Sequence, residues 1–150
     1  MITILREIGT IARALDSIAN VECKQHQLAR GQYLYLVRIA EQPGIIADQL
    51  SKLLKVDRAT VSRAVSKLVA QKLVVRQTDT QNQRLKHLYV TELGRARADL
   101  IERENQYSER VAQAGLSASE QAQLKQLLER VAKNVGADWE QVKAGRHREY

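Results

Sequence analysis

Small, hydroxylated and cationic side chains share one short segment between Asp57 and Lys72: Arg58, Ala59, Thr60, Ser62, Arg63, Ser66 and Lys67. A surface of this kind is slim enough to enter the major groove of double-stranded DNA and rich in hydrogen-bonding groups. A guanidinium bonds two acceptors on a guanine edge at once, and a threonine methyl packs on that of thymine. Arg63 and Thr60 are therefore the expected base contacts. Lys52, Lys55, Arg58 and Lys67 are the expected phosphate contacts, which give affinity without sequence information. Any amphipathic helix has a polar face, so the charge distribution must distinguish this one. From Ser51 to Lys86 there are nine basic and two acidic residues, whereas fifteen of each sign cancel over the rest of the chain. The whole formal excess of +7 thus sits in one central quarter, as a polyanion-binding face requires.

The other reactive groups make a thinner case. Cys23 and His26 form a Cys-x-x-His pair, but a structural zinc site needs four ligands, and this chain has one cysteine and three histidines. A Cys–His nucleophile also needs an orienting third group and an oxyanion donor. No glycine-rich elbow, paired carboxylates or phosphate loop accompanies it, so neither metal, cofactor nor catalysis is expected. Cys23 is a candidate redox switch if its thiol is exposed and acidic; the plainer reading is an ordinary loop cysteine.

The elements that position these residues follow from hydrophobic periodicity. Ile4, Ile8, Ile11, Leu15 and Ile18 predict a helix over residues 3–19, and the polar stretch 20–27 predicts a loop. A second helix is expected over 28–41, ended by Pro43-Gly44. Short helices over 45–54 and from the N-cap Asp57 to about Lys72 follow, the second turning Val61, Ala64, Val65 and Leu68 inward. Residues 73–76 and 84–90 read as a two-stranded hairpin around a polar loop. Thr91 opens a long helix to about Ala114, with Leu93, Ala96, Leu100, Tyr107 and Val111 as its stripe, and Gly115 breaks it. A capping box from Ser117 to Glu120 starts a last helix with Leu124, Leu127, Leu128, Val131 and Val135. A charged, frayed tail is expected over 138–150, with Trp139 as an anchor.

Together these predict a mainly α fold with a two-stranded β wing: a winged helix-turn-helix at about 28–90, flanked by N- and C-terminal helices. One proline and seven glycines argue against an all-β fold, and 150 residues suit a single domain. A lone cysteine suits a reducing compartment, and the longest apolar run, Tyr33 to Val37, is far too short for a membrane span. A cytoplasmic protein is expected. In a winged helix the second helix of the pair enters the major groove and the hairpin lies along the neighbouring backbone, so Arg84 and Lys86 join the expected DNA contacts. The alternative is a winged-helix protein-interaction module, which would show an apolar or acidic patch where this chain is basic.

The run Gly44-Ile45 … Leu50-Ser51 … Leu54-Lys55-Val56-Asp57-Arg58-Ala59-Thr60-Val61-Ser62-Arg63 resembles the helix-turn-helix of MarR-type (multiple antibiotic resistance) transcription regulators. Asp79 to Arg84, followed by Val90-Thr91-Glu92-Leu93-Gly94, resembles that family's wing and the start of its long fifth helix. Ser51 and Lys55 depart from the family's small Ala and Gly, Ile46 from a capping Ser or Thr, and Asn82-Gln83 from Asp-Arg. The resemblance implies a homodimer held by residues 1–20 and 92–136, and a repressor that binds a pseudo-palindromic operator and is released by a ligand or modification. It further implies a small phenolic or lipophilic effector in a cleft lined by the first two helices and the fifth, with His26 and Tyr33 as contacts. By themselves those two read as a loop histidine and a core tyrosine.

Overall fold

The computed structural model describes residues 3–28 and 31–150. The chain divides into two units, residues 1–108 and 109–150. The first contains α1 (Ile4–Lys24), α2 (Gln32–Glu41), β1 (Ile45–Ile46), α3 (Ala47–Leu54), α4 (Arg58–Ala70), β2 (Val74–Thr78) and β3 (Lys86–Val90). It also holds most of α5 (Glu92–Ala112); α6 (Ala118–Lys143) belongs to the second. The core of the first unit is built around Leu36 and Ile39 of α2, Leu50 of α3, Val61, Val65 and Leu68 of α4, and Leu88 of β3. Helix α4 thus buries three of the four residues its periodicity assigned inward; Ala64 is half-buried.

The sheet has three antiparallel strands in the order β1-β3-β2, with Ile45 opposite Leu88 and Val74 opposite Val90. The wing hairpin is present, and the expected helix over 45–54 gives up its first two residues to β1. The Gly44 N–H donates to the Leu88 carbonyl and sets the two β-branched isoleucines beside β3. The helix-turn-helix corner closes on the residues that depart from the small-residue pattern. Buried Ser51 donates its hydroxyl to the Val56 carbonyl at 2.5 Å, and Lys55 takes the left-handed conformation, φ 56°, which glycine adopts at less cost. Ile46 caps α3 without a side-chain acceptor; instead Gln49 Oε1 accepts the Ile46 N–H.

Several expectations need correction. Helix α1 runs on through residues 20–24 of the expected loop, leaving only 25–27 as a turn, because Ala19 and Cys23, one turn apart, are buried while the polar residues face solvent. Helix α2 begins at Gln32 rather than Leu28, which is buried outside any helix; residues 29 and 30 lie outside the described residues. Helix α4 ends at Ala70, short of Lys72, which turns to φ 61°. On α5 the face buried within the unit is Gly94, Ala98 and Ile101. The larger side chains of the expected stripe stand outside it, with Leu93 48%, Tyr107 63% and Val111 59% exposed. Small residues allow close approach, so the packed face is the less hydrophobic of the two.

Gly94 shows how close that approach is: a Cβ there would stand 2.0 Å from the Leu73 carbonyl oxygen. Thr91 fastens the same junction by donating its hydroxyl to the Lys72 carbonyl and accepting the Gly94 N–H. In the second unit, Ser117 and Glu120 form the expected capping box. Helix α6 then continues to Lys143, through the first part of the expected tail, since no proline interrupts it. Trp139 is half-buried, and Asp138 pairs with Arg148. Among the described residues no helix is long and apolar enough to cross a membrane.

Candidate nucleic-acid interface

Helix α4 presents its polar side outward on a well-defined N-terminus. Asp57 Oδ1 accepts the Thr60 N–H at 2.9 Å, and Asp57 Oδ2 accepts the Thr60 hydroxyl at 2.6 Å. These two bonds, with help from the nearby Arg63, hold the Asp57 carboxyl below its ordinary range. Arg63 in turn donates to Thr60 Oγ1 at 3.2 Å. Asp57, Thr60 and Arg63 thus form one chain at the start of the helix. Ala59, Ser62, Ser66 and Lys67 are exposed along the same helix.

Next to this face lies a cleft of about 500 Å³ between α4 and the wing. It brings together Arg58 and Ser62 of α4, Arg76 of β2, Arg84 of the wing loop and Lys86 of β3. Asp48 is the only carboxylate in its lining, and it is paired with Lys52 at 3.1 Å. Four cations facing one carboxylate make the cleft a place for a polyanion, because each phosphate contact releases a condensed counterion. Lys55 lies outside this cleft, at the turn between α3 and α4.

Arg76 is the residue that reading the sequence left out of the site. It donates to Ser66 Oγ at 2.9 Å and so ties β2 to the exposed face of α4. Its only signal in the sequence is its place among the clustered positive charges. In the wing loop, Asp79 Oδ1 accepts the N–H groups of Gln81 and Asn82, and Asn82 Oδ1 accepts the Arg84 N–H. The amide at position 82 therefore braces the backbone of the wing arginine. Lys86 Nζ donates to Thr78 Oγ1 across the hairpin.

The remaining candidates sit elsewhere. The Tyr33 hydroxyl donates to Asp16 at 2.6 Å, joining α2 to α1; burial and this bond raise its pKa. Arg97 of α5 reaches His26 Nδ1 at 3.3 Å. Cys23 is 3% exposed on the last turn of α1 and is not a loop residue. Burial, and behind it the charges of Glu104 and Glu22, push its thiol up. A buried, protonated thiol lacks the thiolate character that a redox switch needs. Among the described residues no three His, Cys, Asp or Glu side chains gather as metal ligands would.

Comparison with known proteins agrees with this geometry. Residues 28–86 match the MarR family model. The chain is 50% identical over 147 residues to the uncharacterized HTH-type transcriptional regulator YybA of Bacillus subtilis (strain 168), covering 98% of each protein. The crystal structure of the transcriptional regulator SlyA superimposes with a TM-score of 0.91 at 52% identity, over 94% of this chain and 99% of that one. A MarR family transcriptional regulator from Listeria monocytogenes, crystallised with 26mer DNA, is 46% identical with a TM-score of 0.97 over the whole of both chains. Sequence, fold and cleft converge, and the chain belongs to the MarR family of transcriptional regulators.

Proposed function

We propose that this protein is a sequence-specific regulator that binds double-stranded DNA through α4 and the wing, acting as a cytoplasmic repressor at a pseudo-palindromic operator. The observation that carries this reading is the convergence of Arg58, Arg76, Arg84 and Lys86 on one cleft beside the exposed face of α4. The DNA-bound Listeria relative, identical at 46% of positions, supports it. Arg63 reads a guanine edge and Thr60, its hydroxyl committed to Asp57, offers its methyl to a base. Arg58, Ala59, Ser62, Ser66 and Lys67 complete the helix face; Lys52, Lys55, Arg84 and Lys86 hold phosphates and the groove edge.

The protein acts as a homodimer in this reading. Helix α1 runs for 21 residues yet buries only Ala19 and Cys23. Ile4, Ile11, Leu15 and Ile18 stand 40–57% exposed, and in the second unit Leu124, Leu127 and Leu128 stand 43–49% exposed. Stripes of that size call for a partner, and an isologous dimer presents two copies of α4 to successive major grooves. A small phenolic or lipophilic effector is the last part of the reading, with Tyr33 and His26, each bonded to a neighbouring helix, as its contacts.

Fluorescence-anisotropy titration of random and upstream-region duplexes over a salt series tests the function. One duplex bound far more tightly than the rest, with a salt slope of several phosphate contacts, is the expected result. Arg63→Ala should cost about 1–3 kcal/mol and relax preference at one position per half-site, while Lys67→Ala should weaken all sequences alike. No binding at low salt refutes the DNA reading. Sedimentation equilibrium should give twice the 17.0 kDa chain mass, and monomers for the double change Leu127→Asp with Leu128→Asp.

A further inference from the structure

One histidine in the wing is held in a way that its neutral form cannot satisfy. His87 Nδ1 lies 2.7 Å from the Gly44 carbonyl oxygen, and Nε2 lies 2.8 Å from Asp79 Oδ2. A carbonyl only accepts, and so does an ionised carboxylate, so both ring nitrogens must carry hydrogen. Neutral imidazole has one N–H. Loss of either proton to solvent sets a nitrogen lone pair against an oxygen lone pair and breaks one of the two bonds.

The ring joins two places that differ in kind. Gly44 belongs to the turn between α2 and β1, and its own N–H donates to Leu88. Asp79 opens the wing loop and holds the N–H groups of Gln81 and Asn82; Asn82 then holds Arg84. Hydrogen bonds therefore run without interruption from the body of the fold, through His87, to the arginine on the cleft wall. We infer that protonated His87 is the positioning residue of the wing, and that deprotonation releases Asp79 and Arg84 and weakens DNA binding. This rests on the reading that the wing touches DNA.

The surroundings leave Asp79 as the charged group in contact with the ring. The strand neighbours of His87 are Gln77 on β2 and Ile46 on β1, both uncharged. On α2, Arg38 and Glu41 pair with each other, and on α3 Asp48 pairs with Lys52. Adjacent Lys86 turns to Thr78, and the Tyr89 phenol packs over Gly44. The bond to Asp79, followed by that to Gly44, raises the His87 pKa above its ordinary 6.5. The charged pair therefore persists above the pH at which an ordinary histidine loses its proton, and is lost as pH rises through the histidine's own midpoint.

The test uses the full-length protein, with NMR of the His87 ring, amide exchange of Gln81 and Asn82, and anisotropy with a mixed-sequence 26-base-pair duplex at low salt, from about pH 5.5 to about pH 9. The expected result is a His87 midpoint above that of an ordinary histidine. Gln81 and Asn82 should then exchange faster, beyond the intrinsic base-catalysed rise, once His87 has titrated. Duplex affinity should fall roughly three- to tenfold more over that range in wild type than in His87→Gln, the net worth of about one ordinary hydrogen bond. Asp79→Asn should move the midpoint down. A His87 midpoint at or below the ordinary range, or wing exchange with the same pH profile in His87→Gln, overturns the inference. Wing exchange that follows His87 in a protein that binds no duplex at any pH upholds the clamp and refutes the DNA reading instead.

Discussion

Adding one methyl group at Gly94 should unfasten the wing from α5. Built on the present backbone, the Cβ would lie 2.0 Å from the Leu73 carbonyl oxygen, 2.9 Å from its carbon and 3.2 Å from Val90 Cβ. The first two are main-chain atoms at the foot of β2, next to Val74, which is 1% exposed. Relief to an ordinary contact requires more than about 1 Å of movement between α5 and the sheet. That movement strains the bonds from Thr91 N to Leu73 O at 3.0 Å and from Thr91 Oγ1 to Lys72 O at 2.7 Å. Overpacking of this kind costs about 1–3 kcal/mol, and each main-chain carbonyl left unpaired adds about 1–3 kcal/mol. Alanine's better helix propensity returns about 1 kcal/mol. With both carbonyls affected, the net destabilisation of Gly94→Ala should be about 2–8 kcal/mol, a large part of a domain's total. Urea denaturation followed by circular dichroism measures it. Gly9→Ala is the control, because its Cβ meets only the tip of the Arg13 side chain at 3.1 Å and should stabilise by up to about 1 kcal/mol. A Gly94→Ala protein within about 1 kcal/mol of wild type would refute the reasoning about this junction.

Lys55→Gly should raise stability by roughly 0.5–1 kcal/mol, since φ 56° suits glycine. The same change should weaken DNA binding uniformly and lower the salt slope by about one, so denaturation and anisotropy should move in opposite directions. Ser51→Ala keeps the packing of a buried small side chain but removes the donor to Val56 O; a loss of about 1 kcal/mol in denaturation is expected. Arg76→Ala removes both a cation of the cleft and the tie to Ser66. It should reduce affinity more than Lys67→Ala, whose side chain is absent from the cleft lining. At the acid end, the bond from His87 and the N–H groups of Asn82 and Gln81 lower the Asp79 pKa to about 2, from 3.8. A depressed carboxylate stabilises above the unfolded value and stops doing so as pH falls through the folded one. Wing amide protection should therefore hold at pH 5 and fade from about pH 4 toward about pH 2.

Much of the candidate interface was legible in the sequence because its signals are local. Charge concentrated between Ser51 and Lys86, the Asp57 cap, the small polar face of α4 and the Thr91–Gly94 start of α5 are each carried by neighbours within a few positions. Periodicity of 3.6 residues likewise placed Val61, Val65 and Leu68 inward without any knowledge of what they pack against.

Other features depended on partners far along the chain. Two residues are too few to show a strand period, so β1 appears only when Leu88 and His87 lie beside it. Composition made residues 20–24 look like a loop, and burial of Cys23 keeps them helical. On α5 the sequence shows the larger apolar stripe, whereas the close packing of Gly94 and Ala98 selects the other face. Arg76 reaches Ser66 from ten residues away, and His87 reaches Gly44 from forty-three. The sequence determined which residues could meet DNA, because residue type, charge and helical spacing are properties of short segments. Tertiary structure alone decided which cations share a cleft and which histidine holds the wing, because a hydrogen bond depends on distance in space and not along the chain.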